Sequence, residues 1–408
     1  MKEVILLAGG ISKRFYPLKD KVMYKFLGKP LIEWQIDWLL DAGFTHIVVV
    51  VNPRIYKAVN EIIGKKDANI KIVIQENALG MGDAVLKASE CIKGGNSVFI
   101  VGASDVVEKG IYQEFKRSNE NLILAYKVSR YFPGGYLVMQ DGRIVDIIEK
   151  PGEGNEPSNI VNIVRHLHTN FGKLLTYIEE EYKKPERTDD EYENALRKLM
   201  KEEYYKPLIY NGIWLPVKYP WHILDLTSYF LTIKGNYIAE DVKIGKNVII
   251  ENSYIEEGVK IYDNVVIRNS YIAKNCVIGN NTLIRDSIIN ENSIIGAHSE
   301  VARSYINNNV EVHRSYVGDS VIDSFVRIGA GTIIANLRHD EQEIQVFVRG
   351  KKVNSGRKKL GAIIGEGSKI GINNSILPGR IIGRNVTTYP GSVIIHNPKD
   401  GEIVKGFF

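Results

Sequence analysis

A repeat of seventeen residues in the second half of the chain constrains the fold more than any other feature. Three ladders of aliphatic residues share this period and lie six positions apart: Ile238, Ile255, Ile272, Ile289 and Ile306; Ile244, Ile261, Ile278, Ile295 and Val312; and Ile250, Ile267, Ile284 and Val301. A coil with three short sides, each placing one aliphatic side chain inward, needs about six residues per side. The spacing therefore predicts a triangular β-solenoid, whereas a β-sandwich with regular turns would not hold this register over successive coils.

The six-residue spacing continues beyond an interruption. After a polar segment at about 337–359, it returns at Ile364, Ile370, Ile376 and Ile382. A short amphipathic stretch, 222–233, precedes the first coil. We therefore predict a solenoid domain over residues 238–408, behind a linker helix at 226–237.

Residues 1 to about 225 have a different pattern, in which β-rich runs alternate with helical stretches. These runs are Val4–Leu7, Ile32–Ala42, His46–Val51, Ile55–Ile63, Ile70–Ile74, Ala84–Ile92 and Val98–Val101. Such alternation is typical of a Rossmann-like α/β domain, a mostly parallel sheet with helices on both faces. Ligands bind such sheets beyond the carboxyl ends of the strands. We therefore predict an α/β domain over residues 1–225, with a ligand site where the first strand ends.

Charge and cysteine content narrow the classes of partner. The formal charge of +5 is spread along the 408 residues without a Lys/Arg block, which favours anionic small molecules such as phosphorylated substrates over nucleic acid. Only Cys91 and Cys276 are present, and they lie far apart in the sequence, so neither a disulfide framework nor a zinc site is expected. We expect the protein to be located in the reducing cytoplasm. The first apolar run is too short for a signal or membrane segment, and no membrane partner is expected.

A glycine-rich segment follows the first predicted strand. Leu7, Ala8, Gly9 and Gly10 place backbone N–H groups where phosphate oxygens can approach without a Cβ in the way. By itself, a pair of glycines after a strand is a simple turn about as often as it is a phosphate-binding loop. Arg14 and Lys21 add cations at the spacing that a triphosphate requires.

Five motifs in chain order resemble the signature of the sugar-1-phosphate nucleotidylyltransferases. They are the glycine-rich stretch ending in Arg14 with Pro17-Leu18 and Lys21, then Gly28-Lys29-Pro30-Leu31, Gln75 with Leu79-Gly80-Met81-Gly82, Val101-Gly102-Ala103-Ser104-Asp105, and Glu149-Lys150-Pro151. Each alone has a plainer interpretation: Asp105 as a loop cap, for instance, or Glu149 and Lys150 as a surface pair worth under about 1 kcal/mol.

The resemblance implies a role for each motif. A sugar 1-phosphate would attack the α-phosphorus of a nucleoside triphosphate, most readily UTP or dTTP, and pyrophosphate would leave, with catalysis by positioning and charge neutralisation. Arg14 and Lys21 would hold the triphosphate, and Asp105 would bind Mg²⁺. By the same resemblance, Gln75 and Gly80 would read the base, and the sugar contacts would be Gly135, Glu149, Lys150 and Asn162.

This half departs from the family pattern at two sites, the metal site and the sugar site. Pro216 stands where relatives carry a second metal-binding side chain, and proline cannot bind a metal through its side chain; Lys218 is a nearby source of positive charge. Ile163 and Val164 replace the small residues that follow the sugar-contacting Asn162, and their bulk would narrow the pocket.

The solenoid carries a second resemblance, to the acetyltransferase half of the bacterial bifunctional glucosamine-1-phosphate acetyltransferase/N-acetylglucosamine-1-phosphate uridylyltransferases and their archaeal counterparts. The motifs are His313-Arg314-Ser315-Tyr316, Ile328-Gly329-Ala330-Gly331-Thr332, Asn336-Leu337-Arg338 and Ser355-Gly356-Arg357-Lys358-Lys359. They imply a left-handed parallel β-helix of hexapeptide repeats that forms a homotrimer or higher homo-oligomer and uses acetyl-CoA as co-substrate. His313 would be the general base, since histidine can accept a proton near neutral pH. The other implied site residues are Tyr316, Ala330 and Asn336, with Arg285 and Arg303 for the sugar phosphate.

This half departs from its relatives as well, and three functions stay open. Arg327 replaces a sugar-contacting asparagine, and Gln342 replaces a lysine. The first hypothesis is a sugar-1-phosphate nucleotidylyltransferase, with or without acetylation of an amino sugar. The second is a regulatory or ligand-binding paralogue without turnover, and the third is an acetyltransferase with a vestigial N-terminal domain.

Overall fold

The computed structural model describes residues 2–94, 96–186, 188 and 190–406. Packing divides the chain into two compact units, Met1–Ile11 with Leu31–Pro216, and Ser12–Pro30 with Val217–Phe408. The predicted α/β domain, 1–225, is continuous in sequence, whereas the first unit lacks the segment 12–30. That segment packs with the solenoid unit.

The first unit alternates strands and helices. Its strands are β1 (Glu3–Ala8), β2 (His46–Val51), β3 (Asn69–Ile74), β4 (Val98–Gly102), β5 (Asp105–Val107), β6 (Asn121–Lys127), β7 (Gly135–Gln140), β8 (Arg143–Glu149), β9 (Ile160–His168), β10 (Tyr205–Tyr210) and β11 (Trp214–Pro216). Its helices are α1 (Leu31–Asp41), α2 (Tyr56–Ile63), α3 (Gly80–Ser89), α4 (Gly110–Arg117), α5 (Phe171–Tyr182) and α6 (Glu191–Glu202).

Nine of these strands form one sheet, in the order β3-β2-β1-β4-β9-β6-β10-β8-β7. The four strands at one edge are all parallel, and their nearly continuous Val and Ile runs suit burial on both faces. Beyond them β9 runs antiparallel to β4 and β6, and β8 forms a hairpin with β7. The sheet is therefore parallel on its N-terminal side and mixed on the other, where the chain returns by a short hairpin instead of a helix.

Helices cover both faces of this sheet. Side chains of α3, α5 and α6 share a buried core with Ile5, Val48 and Ile100. On the opposite face, Phe99 of β4 stacks on Phe115 of α4, with ring centres 4.5 Å apart. The α/β prediction is confirmed.

The second unit is built from three parallel sheets. One contains Tyr237–Ile238, Tyr254–Ile255, Tyr271–Ile272, Ile288–Ile289, Tyr305–Ile306, Val321–Ile322, Ala362–Ile364 and Arg380–Ile382. Another contains Lys243–Ile244, Lys260–Ile261, Val277–Ile278, Ile294–Ile295, Glu311–Val312, Arg327–Ile328, Lys369–Ile370, Thr387–Thr388 and Ile403–Val404. The last contains Ile249–Glu251, Val266–Arg268, Leu283–Arg285, Glu300–Ala302, Tyr316–Gly318, Ile333–Ile334, Ser375–Ile376 and Val393–Ile394.

The predicted left-handed β-helix is therefore confirmed, with its aliphatic ladders inside. Ile255, Ile272 and Ile289 stack in register and are fully buried. In the first coil, however, Ile238 and Ile244 are 42% and 48% exposed. Both residues keep the predicted ladder register, opposite Ile255 and Ile261, and are exposed because a terminal coil is packed on one side only.

Further elements surround the coils. Helix α7 spans His222–Ile233, so the helix begins four residues before the predicted linker at 226–237. The polar segment holds an antiparallel hairpin, Gln345–Val348 with Lys351–Asn354, and two short strands, Lys25–Phe26 and Lys29–Pro30, pair in the segment 12–30. None of the helices in the described ranges is long and apolar enough to cross a membrane.

Candidate active site

The end of β1 packs against the side chain of Gln75. A Cβ added at Gly9 would lie 2.3 Å from Gln75 Oε1 and would displace that amide group, whereas a Cβ at Gly10 would meet nothing within 4 Å. Leu7 and Ala8 close the strand, and the Leu7 carbonyl accepts a hydrogen bond from Ala103 N at 3.0 Å. Two of the predicted nucleotide-binding segments are therefore in contact.

The amide group of Gln75 is held in one orientation. Its side chain is buried, and Nε2 donates to the Gly80 carbonyl at 3.0 Å and to Asp83 Oδ2 at 2.8 Å. Gly80 begins α3 with a φ of 94°, a backbone conformation that favours glycine. With the amide hydrogens used in this way, the carbonyl oxygen of Gln75 is the atom left for a ligand.

Asp105 follows β4 by way of a tight turn. Its partner across the antiparallel β5–β11 ladder is Pro216, so the residue placed to share a cation with Asp105 has no side-chain oxygen. Trp214 Nε1 donates to Asp105 Oδ1 at 3.1 Å. Within 2–94, 96–186, 188 and 190–406, no three His, Cys, Asp or Glu residues group as metal ligands. Asp105 thus offers a single carboxylate, which suits Mg²⁺ when substrate phosphates supply further ligands.

A fully buried arginine lies under this turn. Arg165 of β9 donates to the backbone carbonyls of Gly102 and Asp105, at 2.9 and 2.6 Å. It also donates to the Tyr112 hydroxyl at 3.0 Å and to Gln35 Oε1 at 3.2 Å. The guanidinium therefore fixes both ends of the turn that presents the Asp105 carboxylate.

Three of the predicted sugar-binding residues meet on neighbouring strands. Gly135 of β7 is paired with Glu149 of β8, and a Cβ added at Gly135 would lie 3.0 Å from Glu149 Oε2 and 2.3 Å from Asn162 Nδ2. Lys150 Nζ lies 2.9 Å from Glu149 Oε1 and is 47% exposed. The structure brings these four residues together at one end of the sheet.

The bulky residues after Asn162 are directed away from this group. Ile163 is buried opposite Leu124 of β6. A Cβ added at Gly102 would lie 3.1 Å from Val164 Cβ, so Val164 packs under the Asp105 turn. Neither of these contacts involves the predicted sugar-binding residues. Whether the bulk of Ile163 and Val164 narrows the sugar pocket stays a prediction.

Arg14 and Lys21 lie in the segment 12–30 of the second unit. Arg14 is exposed, and its guanidinium carbon is 6.0 Å from the ring centre of Tyr219. Lys21 Nζ donates to the backbone carbonyl of Val217 at 2.7 Å. Both predicted triphosphate ligands therefore contact the chain just after β11, a stretch that includes Lys218.

The segment 12–30 is fastened to the coils by aromatic and ionic contacts. Phe26 is fully buried and stacks on Phe230 of α7 at 4.7 Å. The Tyr305 hydroxyl donates to the Lys25 carbonyl at 2.9 Å, and Lys25 Nζ pairs with Glu291 at 3.0 Å. These contacts hold the segment that carries Arg14 and Lys21 as part of the β-helix unit.

Four side chains form a hydrogen-bonded group on one face of the β-helix. Asn336 Nδ2 donates to the Tyr316 hydroxyl at 3.1 Å and to Asp319 Oδ2 at 2.5 Å. Arg303 donates to both carboxylate oxygens of Asp319, at 2.8 and 2.7 Å. His313 is exposed three residues before Tyr316. The group joins three of the residues predicted for acetyl transfer.

The predicted phosphate-binding arginines of this face already have carboxylate partners. Asp319 neutralises Arg303, and Glu300 Oε1 lies 2.9 Å from Arg285 Nη2. Ala330 lies in the turn after Arg327–Ile328, and Arg327 itself is 3.4 Å from Glu311. A sugar phosphate would have to compete with these carboxylates.

Two residues of these groups were not assigned a role from the sequence. Arg165 breaks an otherwise apolar run, Ile163-Val164, and a charge inside a buried strand is the signal that could have revealed it. Asp319 lies sixteen residues after Arg303, close to the coil period, and that spacing could have predicted the ion pair.

Comparison with known proteins finds a family for each of the two regions of the chain. A family model described as "Nucleotidyl transferase" matches residues 3–217, and one described as "GMPPB C-terminal domain" matches residues 232–317. The first covers more than half of the chain.

Similar proteins match along nearly the whole length. A "Bifunctional sugar-1-phosphate nucleotidylyltransferase/acetyltransferase" of Sulfurisphaera tokodaii is 35% identical over 99% of this chain and 100% of its own. Proteins named "Bifunctional protein GlmU" from Methanococcus vannielii and Methanocaldococcus jannaschii are each 34% identical over 94% of this chain and 92% of their own. The chain therefore belongs to the nucleotidyl transferase family, and it is similar to these bifunctional proteins over at least 94% of its residues.

Proposed function

We propose that this chain transfers a nucleotidyl group from a nucleoside triphosphate to a sugar 1-phosphate and releases pyrophosphate. One observation carries the proposal: the residues predicted for base, metal and sugar all lie at the ends of strands in one sheet. Gln75 follows β3, Asp105 follows β4, and Glu149 ends β8 beside Asn162. Such strand ends are where α/β sheets bind ligands.

The reaction needs no side-chain nucleophile. A phosphate oxygen of the sugar 1-phosphate attacks the α-phosphorus, and the bond from that phosphorus to the α,β-bridging oxygen breaks. Arg14 and Lys21 are proposed to bind the triphosphate and offset the repulsion between the two anions. Asp105 would hold Mg²⁺, which when bound neutralises phosphate charge. Arg165 keeps the Asp105 turn in place through the carbonyls that it binds.

The hydrogen bonds of Gln75 fit a base with a ring N–H, such as that of UTP or dTTP. Its amide nitrogen is used by Gly80 and Asp83, so its carbonyl oxygen can accept a hydrogen bond from the base. Uracil and thymine both present an imide N–H and guanine presents a ring N–H, whereas the equivalent ring nitrogens of adenine and cytosine are acceptors. Gly80, the carbonyl of which accepts a hydrogen bond from this amide, is proposed to contact the base beside it.

Pyrophosphate release tests the proposal. The purified protein is given Mg²⁺, each nucleoside triphosphate, and glucose, glucosamine or N-acetylglucosamine 1-phosphate. We expect turnover with at least one pair, and its loss in Lys21→Ala. Lys19→Ala is the matched control, because that lysine is exposed and pairs with Glu366. Ligand binding without turnover for every pair would instead support a regulatory paralogue.

A second activity, acetyl transfer from acetyl-CoA to an amino-sugar 1-phosphate, is supported by the hydrogen bonds that join Tyr316, Asn336 and Arg303 through Asp319. His313 would accept the amine proton. Release of free coenzyme A that depends on the amino sugar, and that is lost in His313→Ala, is the expected result. Coenzyme A release unchanged by that substitution would exclude this role.

Two further properties accompany the proposed function. A homotrimer through the β-helix is proposed from the family resemblance, and light scattering of the purified protein tests it. A cytoplasmic location is proposed because nucleoside triphosphates are found there and because Cys91 and Cys276 are both free thiols.

A further inference from the structure

A carboxylate in the first turn of α3 holds the amide group of Gln75. Gln75 follows β3 and is only 4% exposed. Its Nε2 donates to Asp83 Oδ2 at 2.8 Å and to the Gly80 carbonyl at 3.0 Å. Protein groups therefore use both hydrogens of this amide.

These two acceptors select one orientation of the amide. Turning it over would place Oε1 against the Gly80 carbonyl and the Asp83 carboxylate, and neither group has a hydrogen to donate. Asp83 contributes the larger part of this selection, because hydrogen bonds to an ionised group are about twice as strong as neutral ones. In the selected orientation Oε1 faces Gly9, where an added Cβ would lie 2.3 Å from it.

The Asp83 carboxylate is itself held in place. Its backbone N–H donates to the Tyr182 hydroxyl at 2.8 Å, and that hydroxyl donates to the Leu79 carbonyl at 2.7 Å. Lys87 Nζ, one turn later in α3, lies 3.8 Å from Asp83 Oδ2, and the Asp83 side chain is only 13% exposed. The contacts of α3 and α5 thus fix the carboxylate beside the amide that it orients.

The orientation of the amide decides which pyrimidine fits. With Oε1 directed toward the nucleotide-binding segment, Gln75 can accept a hydrogen bond from the imide N–H of uracil. The equivalent ring nitrogen of cytosine is an acceptor, and it would meet a second acceptor there. An amide turned over would instead present Nε2, which suits cytosine. A group that fixes the orientation of Gln75 therefore also fixes the preference between these bases.

We propose that Asp83 is a positioning residue that sets nucleobase specificity through the amide of Gln75. The inference rests on the proposed nucleotidyl transfer, in which Gln75 reads the base. It adds a residue that acts on the base only through another side chain.

Equilibrium binding of UTP and CTP tests this role independently of turnover. The full-length protein is titrated calorimetrically with each nucleotide in the presence of Mg²⁺ and without sugar phosphate. We expect the unsubstituted protein to bind UTP about tenfold more tightly than CTP, or better, because cytosine leaves two acceptors facing each other.

Asp83→Asn removes the constraint while keeping the shape of the side chain. Its amide can accept from Gln75 Nε2 or donate to Gln75 Oε1, so both orientations of Gln75 find a partner. The preference for UTP should fall by about fivefold or more, because the charged acceptor is lost, and CTP affinity should rise. A loss of structure alone would not increase the affinity for any nucleotide.

Two comparisons separate orientation from general damage. Tyr182→Phe removes the hydroxyl that holds the same turn but leaves both acceptors of Gln75, so UTP and CTP affinities should change by the same factor. In a Gln75→Met background, adding Asp83→Asn should not alter the ratio of the two affinities, because the amide through which Asp83 acts is gone.

Three results would overturn the inference: equal affinities for UTP and CTP in the unsubstituted protein, an unchanged ratio in Asp83→Asn, or an effect of Asp83→Asn on the ratio that persists in the Gln75→Met background. Absence of pyrophosphate release from every pair of substrates would instead overturn the proposed transfer, while the two affinities would still decide the role of Asp83.

Discussion

Arg165→Met tests whether the turn that presents Asp105 depends on a buried cation. The arginine is fully buried and donates to the backbone carbonyls of Gly102, Val164 and Asp105. Methionine fills a similar space but donates no hydrogen bond. The Asp105 carbonyl keeps one donor, Gln35 Nε2 at 3.0 Å. The carbonyls of Gly102 and Val164 each lose a charged hydrogen-bond donor.

The expected cost is large for a single substitution. Removing a charged donor from buried neutral acceptors costs about 1–3 kcal/mol for each acceptor left without a partner, because that acceptor stays desolvated. The carbonyls of Gly102 and Val164 lose this donor, but the cost of burying the guanidinium charge disappears as well, which places the expected loss at about 3 kcal/mol. Turnover should also fall, since Gly102 and Asp105 lie at the two ends of the same turn.

Urea unfolding followed by tryptophan fluorescence measures this cost. Trp38 is a suitable reporter, because its ring lies 6.3 Å from Tyr112, which is hydrogen-bonded to Arg165. Arg117→Met on the surface of α4 is the control, with an expected change within about 0.5 kcal/mol. A loss below about 1 kcal/mol for Arg165→Met, no more than an ordinary hydrogen bond contributes, would refute the assigned role.

Three further perturbations address the same unit. Gly135→Ala places a Cβ 2.3 Å from Asn162 Nδ2, and overpacking of about 1–3 kcal/mol should raise KM for the sugar phosphate about tenfold in steady-state kinetics; an unchanged KM would place the sugar elsewhere. Pro216→Asp adds a carboxylate directly across from Asp105, so electron paramagnetic resonance should detect Mn²⁺ bound at least tenfold more tightly, and no gain would argue against a cation at Asp105. Because folding raises the pKa of Glu193 from 4.5 to about 8, the folded state retains a proton that the unfolded chain loses, and the free energy of unfolding should fall as pH rises through this interval. Urea unfolding at several pH values should show a flatter profile for Glu193→Gln, and identical profiles would contradict this protonation.

Periodicity predicted the β-helix because every coil repeats the same local requirement. One inward aliphatic residue per side is visible in the sequence, and Ile255, Ile272 and Ile289 are buried as expected. Ile238 and Ile244 are exposed because they lie in the first coil of the stack. The repeat pattern does not show which coil residues are left uncovered at the end of a stack.

Long-range packing was harder to predict than motifs. Gly135, Glu149 and Asn162 could be chosen from their motifs, but their meeting depends on the β7–β8–β9 pairing of a mixed sheet. The segment 12–30 carries a recognisable motif, yet its packing on the coils depends on Phe26 and Tyr305, which are distant in sequence and individually unremarkable as core aromatics. Arg165 acts through a buried charge, and burial of a charged residue is not evident from local sequence.

The most direct test of nucleotidyl transfer is phosphorus NMR of the reaction of the full-length protein with UTP, Mg²⁺ and glucosamine 1-phosphate. Nucleotidyl transfer predicts two coupled signals of a new phosphoanhydride, growing at the rate at which pyrophosphate appears, and neither signal in Lys21→Ala. Signals of UTP and sugar phosphate that stay unchanged, for this pair and for dTTP and the neutral sugars, would contradict it.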